Sequence, residues 1–413
     1  MFRSLLTAAW LALLSPLCVH AQAFDAVDTL TPAGSGIYSA YPSEVIRPYE
    51  FWAQFGMMYD SNILRRTVGD NHELISRLGL GGRWDQRVVG RQSVHLEGRL
   101  DGYVFNKNSE LDNIGYAGLG EWRWELGNDL AGTVGVSRRK YQAALSEIQR
   151  AVHDPITETV LNTGARYAVG PHLGVRGGAS FVNYNRPSRA FSNTRTVIGT
   201  AGIDYITSLG NVIGLEVAQA HGDAPVNELV DPLGQFVNNG YSQRDIGVVT
   251  TWAVSPFIRV AGRVGRTERQ YTELPGRDFN GPTWNLMFQW LPTAKTVFVV
   301  ETSKHVSSII DIGASHIVAK DLSVGPGWAP TAKLNFQARL IRQHQVFEGD
   351  PAAALGVAPL RQEFIRGYRL GAYWEYTRQV HLTFALDHGE RESNILGRNY
   401  IYNAATANVR YIF

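Results

Sequence analysis

The sequence predicts an all-β fold: a transmembrane antiparallel β-barrel of about eighteen strands, sixteen being the fallback, with both termini in the periplasm. Three observations predict it. Apolar and polar residues alternate with period two from Glu50 to Phe413, in segments of roughly ten residues, the length a tilted membrane strand requires. The connections alternate long and short, and tryptophans gather on the short side.

The barrel is expected over 50–413, after two other segments. Residues 1–23 read as a signal peptide, with Arg3 as a short positive region, an apolar run from Leu5 to Leu17 and a small-x-small cleavage site at Ala21-Gln22-Ala23. The single cysteine, Cys18, lies inside it, and Leu17 stands where a lipoprotein site needs a small residue, so no lipid anchor is expected. Without the leader the chain holds no thiol, which excludes disulfides, thiolate metal sites and a cysteine nucleophile. Residues 24–49 form a periplasmic linker with Pro, Gly and Ser, too small for a plug domain. Beyond the leader no window nears the run of about eighteen apolar residues that a membrane helix needs.

Composition narrows the function classes. Lys and Arg total 39 against 37 Asp and Glu, a net charge of +2, which supplies no excess of cations for a nucleic-acid backbone. An apolar content of 44% with 11% aromatics excludes a disordered chain.

The strands follow in order. In the first, Phe51, Ala53, Phe55, Met57 and Tyr59 share one face. In the third, Val94, Leu96, Leu100 and Val104 alternate with His95, Glu97, Arg99, Asp101 and Tyr103; in the fourth, Tyr116, Trp122, Trp124 and Leu126 oppose Glu121, Arg123 and Glu125. Later, Ile258, Val260, Gly262 and Val264 oppose Arg259 and Arg263. Trp284, Leu286, Phe288 and Trp290 oppose Asn285 and Gln289, and Leu334, Phe336, Ala338 and Leu340 oppose Asn335, Gln337 and Arg339. A soluble sandwich also alternates, but with fewer and shorter strands.

Short turns are expected at Gly127-Asn128-Asp129, Gly170-Pro171, Leu209-Gly210-Asn211, Ser255-Pro256, Pro292-Thr293-Ala294 and Pro330-Thr331-Ala332. Long connections are expected from Asp60 to His72, Tyr141 to Pro155, His221 to Gly240, Thr267 to Asn280, Gln343 to Glu363 and Asp387 to Asn399. Those at 221–240 and 343–363 are the expected gate or constriction, the second because Pro351 to Pro359 is unusually apolar for a surface loop. Trp84, Trp252, Trp290 and Trp328 each fall just before a short turn, where an aromatic girdle sits at headgroup level. The terminal Val409-Arg410-Tyr411-Ile412-Phe413 matches the last strand that the outer-membrane assembly machinery reads, which makes that machinery an expected partner beside outer-membrane lipid.

The start of the barrel, Phe51-Trp52-Ala53-Gln54-Phe55-Gly56 leading into Tyr59-Asp60-Ser61-Asn62-Ile63-Leu64-Arg65, resembles the exosortase-associated exopolysaccharide outer-membrane barrels, an EpsL-like group of β-barrel porins. The repeated turns Trp290-Leu291-Pro292-Thr293-Ala294-Lys295 and Trp328-Ala329-Pro330-Thr331-Ala332-Lys333 agree with it. The resemblance implies a part in making or exporting a polysaccharide at the bacterial outer membrane, with synthesis proteins of the periplasm and inner membrane as partners. From the residues alone, Asp60-Ser61-Asn62 reads as an Asx-type turn closing the first strand.

If the apolar faces meet lipid, the opposite faces line an aqueous lumen. By this phase Arg77, Arg83, Arg99, Arg123, Arg176, Arg259, Arg263, Arg339, Arg369 and Arg410 project inward, with Glu97, Asp101, Glu121, Glu125 and Glu375 among them. Guanidinium forks suit an acidic glycan passed along weak sites, or they pair with carboxylates on neighbouring strands and brace the wall. Tyr103, Tyr184, Tyr373 and Tyr402 are candidate faces for sugar rings.

No nucleophile elbow, zinc motif or P-loop is present, and the eleven histidines are scattered. Neither enzyme chemistry nor a cofactor or metal is therefore expected. Three roles remain open: a polysaccharide-export channel, a barrel that anchors finished polymer at the surface, and a general diffusion porin.

Overall fold

The computed structural model describes residues 48–224, 229–230, 236–273, 277–308, 316–348 and 359–413. The signal peptide, the linker up to residue 47 and the apolar stretch 351–358 lie outside the described residues. Strands β1 (Tyr49–Asp60), β2 (Glu73–Arg87), β3 (Ser93–Phe105), β4 (Asn113–Leu126) and β5 (Leu130–Gln142) come first. A one-turn helix, α1 (Leu145–Ile148), precedes β6 (Pro155–Ala168), β7 (Leu173–Asn185), β8 (Thr194–Ile206) and β9 (Val212–Asp223). The two-residue strands β10 (Leu229–Val230) and β11 (Phe236–Val237) pair only with each other. Then follow β12 (Tyr241–Ser255), β13 (Ile258–Tyr271), β14 (Phe279–Thr293), β15 (Thr296–Ser308) and β16 (His316–Thr331). The last are β17 (Leu334–Glu348), β18 (Gln362–Glu375), β19 (Val380–Ser393) and β20 (Tyr400–Ile412).

All but β10 and β11 form one 18-stranded antiparallel sheet in which each strand pairs with its neighbours in sequence, β9 joining β12. The sheet closes where β1 pairs with β20, from Trp52 opposite Ile412 to Asp60 opposite Ala404, and Phe413 N donates to Phe51 O at 2.9 Å. Closure leaves no open strand edge, which is what allows a sheet to stand in lipid. Short turns alternate with long connections as expected, Gly127 (φ 64°) and Gly210 (φ 82°) supplying the left-handed positions that two of the turns require.

Register fixes the two faces. Across β1 and β2 the partners Phe51–Gly82, Phe55–Leu78 and Tyr59–Leu74 face outward, and Gly56–Arg77 and Asp60–Glu73 face inward. Followed round the ring, this phase returns to β1 without a break. Outward apolar residues are exposed, Leu78 and Leu215 both at 65%, whereas the inward Arg77 is 1% exposed. From the short-turn end upward, outward positions carry no formal charge until Arg138, Arg195, Asp223, Arg244, Arg266, Lys304, Lys320, Arg342, Arg366 and Glu390. Trp84, Trp252, Trp290 and Trp328 are all exposed at the opposite end of this uncharged band, with Trp122 and Trp374 beside them. An uncharged outer band with an aromatic rim is the surface of an outer-membrane barrel.

The strands run further at the long-loop end than the sequence suggests. The expected connections begin at Thr267, Gln343 and Asp387, but β13 continues to Tyr271, β17 to Glu348 and β19 to Ser393. Above the lipid both faces meet water, so the alternation that marks a strand fades while the hydrogen-bond ladder continues.

Candidate functional site

The lumen wall is built by the inward side chains, and every candidate residue lies on it. On β1 to β3, Asp101 Oδ1 accepts from Arg77 Nε (3.0 Å) and Nη2 (2.7 Å) and from Gln54 Nε2 (2.9 Å), while Arg99 Nε lies 3.6 Å from Oδ2. The cluster lies flat on the wall because Gly79 leaves room: a Cβ there would stand 2.3 Å from Asp101 Oδ1. Across β7 to β13, Arg176 lies 3.2 Å from Asp204 and directly against Glu216, and Arg263 Nε is 3.3 Å from the same Glu216. Arg339 donates to Glu301 at 2.8 Å, and Arg369 and Arg123 contact Asp387 and Glu121. Glu97 stands 3.8 Å from His95.

Arg259 and Arg410 differ from the rest. Neither has a carboxylate within salt-bridge reach among the described residues; Arg259 is exposed, and Arg410 lies 4.9 Å from the Trp52 ring and donates to Gln54 at 3.3 Å. Of the candidate tyrosines, Tyr103 stacks under Arg77 at 5.7 Å and Tyr373 Oη bonds His381 at 3.0 Å. Tyr402 carries the Arg65 guanidinium at 3.6 Å. In each case the ring contacts a charged or polar neighbour of the wall.

The Asp60-Ser61-Asn62 turn is a closing latch. Asn62 N donates to Asp60 Oδ1 at 2.7 Å, the expected Asx geometry. Ser61 N donates to Asn403 O at 2.9 Å and Ser61 Oγ accepts from Asn403 N at 2.8 Å, tying β1 to β20. Arg65 folds back onto Asp60 through Nη1 (2.8 Å) and Nη2 (2.9 Å), both side chains fully buried. Burial disfavours the Arg65 cation, but Asp60 outweighs it through charge and hydrogen bonds, and its pKa ends above the ordinary arginine value.

At the long-loop end a connection the sequence reading did not choose lies against the inner wall. The β5–β6 connection, with α1 at its centre, folds inward over the wall. Leu145, fully buried, packs with inward-facing Met58, Ile75 and Phe105 and with Ile63, Leu64 and Leu111 from the neighbouring connections. Past that core, Gln149 Nε2 donates to Arg65 O at 2.6 Å, Arg66 Nε to Gln149 O at 2.7 Å, and Arg391 Nη1 to Ser146 O at 3.2 Å. Arg391 is on β19, so the connection reaches from β5 past five strands to the far side of the closing seam. Its other flank is held by Arg189 Nε on Asp154 at 2.7 Å and by Arg186, 3.7 Å from Glu147. Burial lowers the pKa of Arg186, Glu147 opposing it only in part.

The expected gates are only partly in view: β9 and β17 shorten both connections, and 225–228, 231–235 and 349–358 lie outside the described residues. The acids Asp204, Glu216, Glu301 and Asp387 were missed as partners, although the inward phase alone places all four on the lumen side. Among the described residues no group of three His, Cys, Asp or Glu could hold a metal ion.

No family model and no curated protein matches the chain. Solved structures do. The chain is similar to OccK2 (OpdF) of Pseudomonas aeruginosa, with a TM-score of 0.50 and 12% identity over 88% of this chain and 97% of that one. It is also similar to a BenF-like porin of Pseudomonas fluorescens Pf-5 (TM-score 0.48, 11% identity, 88% and 99% covered) and to OccAB3 of Acinetobacter baumannii (TM-score 0.46, 11% identity, 88% and 99% covered). At such identities the likeness concerns the fold alone, a closed antiparallel β-barrel.

Proposed function

We propose that this chain is a water-filled channel of the outer membrane whose cargo is an exopolysaccharide, its short turns and both termini facing the periplasm. The observation that carries the channel is the closed 18-stranded sheet with charged side chains on its inner face, since barrels of sixteen to eighteen strands enclose water rather than a packed core. The polysaccharide is supported by the resemblance over Phe51 to Arg65 and by the inner face drawing its Lys/Arg cations from arginine, whose planar fork suits carboxylates. Arg259 and Arg410 are the cations left to meet an acidic group on the polymer, and the paired arginines shape the wall.

General diffusion is the second reading, and one observation favours it. Arg77, Arg99, Arg123, Arg176, Arg263, Arg339 and Arg369 all face carboxylates, which leaves little free positive charge to grip a polymer.

Deletion of the gene, with polysaccharide measured separately in the medium, at the cell surface and in the periplasm, tests the reading. Polymer lost outside and accumulating in the periplasm is the expected result. Normal release with polymer detached from the surface would replace export by anchoring, and no change in any fraction would leave the diffusion porin.

A further inference from the structure

The outer wall at the long-loop end carries a belt of cations with no role in the lumen. Arg138, Arg195, Arg244, Arg266, Lys304, Lys320, Arg342 and Arg366 all point outward at similar heights on their strands. Lys320 stands eight residues along β16 from Trp328, and Arg366 eight along β18 from Trp374. At about 3.3 Å per residue and a tilt of about 40°, that is about 20 Å above the aromatic rim, near the upper edge of the apolar band.

On most strands the belt cation has a local partner. Arg195 lies opposite Asp223 and Arg244 opposite Glu268; Arg266 donates to Asn280 at 2.7 Å, and Arg138 to Tyr116 Oη at 3.3 Å. The sector β15 to β18 differs. Lys304 is directly opposite Lys320, Lys320 is opposite His344, and Arg342 is opposite Arg366. Like charges facing each other across a sheet are destabilising. Among the described residues no carboxylate lies within 4 Å of Lys304, Lys320 or Arg342, and only Arg366 has one, in Glu392. Lys320 and Arg342 are exposed.

We propose that this sector binds the phosphate groups of a phosphorylated glycolipid in the surrounding leaflet. The proposal rests on the long-loop end being the outward one. Three strand spacings separate β15 from β18, about 14 Å, a width that suits a headgroup with two phosphates on a disaccharide. Each phosphate would accept charge-assisted hydrogen bonds from two facing cations and relieve their repulsion, while the acyl chains lie on Val300, Leu322, Val324, Leu340 and Leu370 below.

Native mass spectrometry of the full barrel in mild detergent tests this, with diphosphoryl lipid A, its dephosphorylated form and phosphatidylglycerol as probes. Diphosphoryl lipid A should stay bound to the wild type. Binding should fall by about tenfold or more in a variant combining Lys304→Gln, Lys320→Gln and Arg342→Gln, and remain in one combining Arg138→Gln and Arg195→Gln. Single Lys320→Gln and Arg342→Gln chains replace the triple variant if it does not fold, and each should still weaken binding. Equal binding by variant and wild type overturns the proposal. So does equal binding of the dephosphorylated lipid or of phosphatidylglycerol, and so does displacement by millimolar inorganic phosphate, which would make the site one for free phosphate.

Discussion

Leu145→Ala tests whether the β5–β6 connection sets the width of the mouth. Leu145 is fully exposed to neither lipid nor water; it sits at 0% accessibility among Met58, Ile63, Leu64, Ile75, Phe105 and Leu111. Truncating a leucine so enclosed costs about 3 kcal/mol, the lost transfer energy plus the cavity left behind. The cost falls on the docked connection and not on the barrel, whose ladder holds without it. Docking should therefore weaken by about 100-fold, against which stand the bonds of Gln149, that of Arg391 to Ser146 O, and the Arg189–Asp154 and Arg186–Glu147 pairs. In planar bilayers the wild type should show a steady conductance and Leu145→Ala a larger, flickering one, with the same heat-dependent gel shift confirming a folded barrel. Cys18 is the one cysteine in the sequence, so with Cys18→Ser a disulfide linking Gln149→Cys to Arg66→Cys can be added cleanly, and it should restore the steady state when oxidised. A folded Leu145→Ala barrel with unchanged conductance and noise would show that this connection does not limit the pore.

Arg77→Ala should lower stability in detergent by about 3–5 kcal/mol, because it leaves the Asp101 charge buried without its main partner; a chain with Arg77→Met and Asp101→Leu together should recover most of it in thermal unfolding. Gly389→Ala would put a Cβ 2.2 Å from the Tyr402 ring, pushing it off Arg65 and costing about 1–3 kcal/mol; an unchanged melting temperature would show that the latch does not need that stack. Arg259→Glu should move the reversal potential in a salt gradient toward cations without changing stability, since it breaks no ion pair. Arg339→Glu, which sets two carboxylates together with Glu301, should destabilise as well.

What the sequence discloses and what it hides follow from how often each constraint repeats. Lipid imposes the same demand on every strand, so the outward phase of β1, β3 or β17 is legible from a few residues and its error is corrected by the next strand. The girdle is legible for the same reason, Trp84, Trp252, Trp290 and Trp328 marking one level four times over. The lumen pairs are half legible. The phase puts Arg176, Asp204, Glu216 and Arg263 on one side, but only the registers of β7 to β13 decide that one glutamate serves two arginines. The mouth repeats nothing. Ile63, Leu64, Leu111 and Leu145 lie in three separate connections with no period linking them, and their common core exists only once the strands have brought those connections together. Length alone did not point there: the connection from Tyr141 to Pro155, which folds inward, is shorter than those at 221–240 and 343–363, parts of which lie outside the described residues. The apolar Ala143-Ala144-Leu145 was the better signal: an exposed loop has no reason to hold three consecutive residues that end up buried, and a channel mouth gives them one.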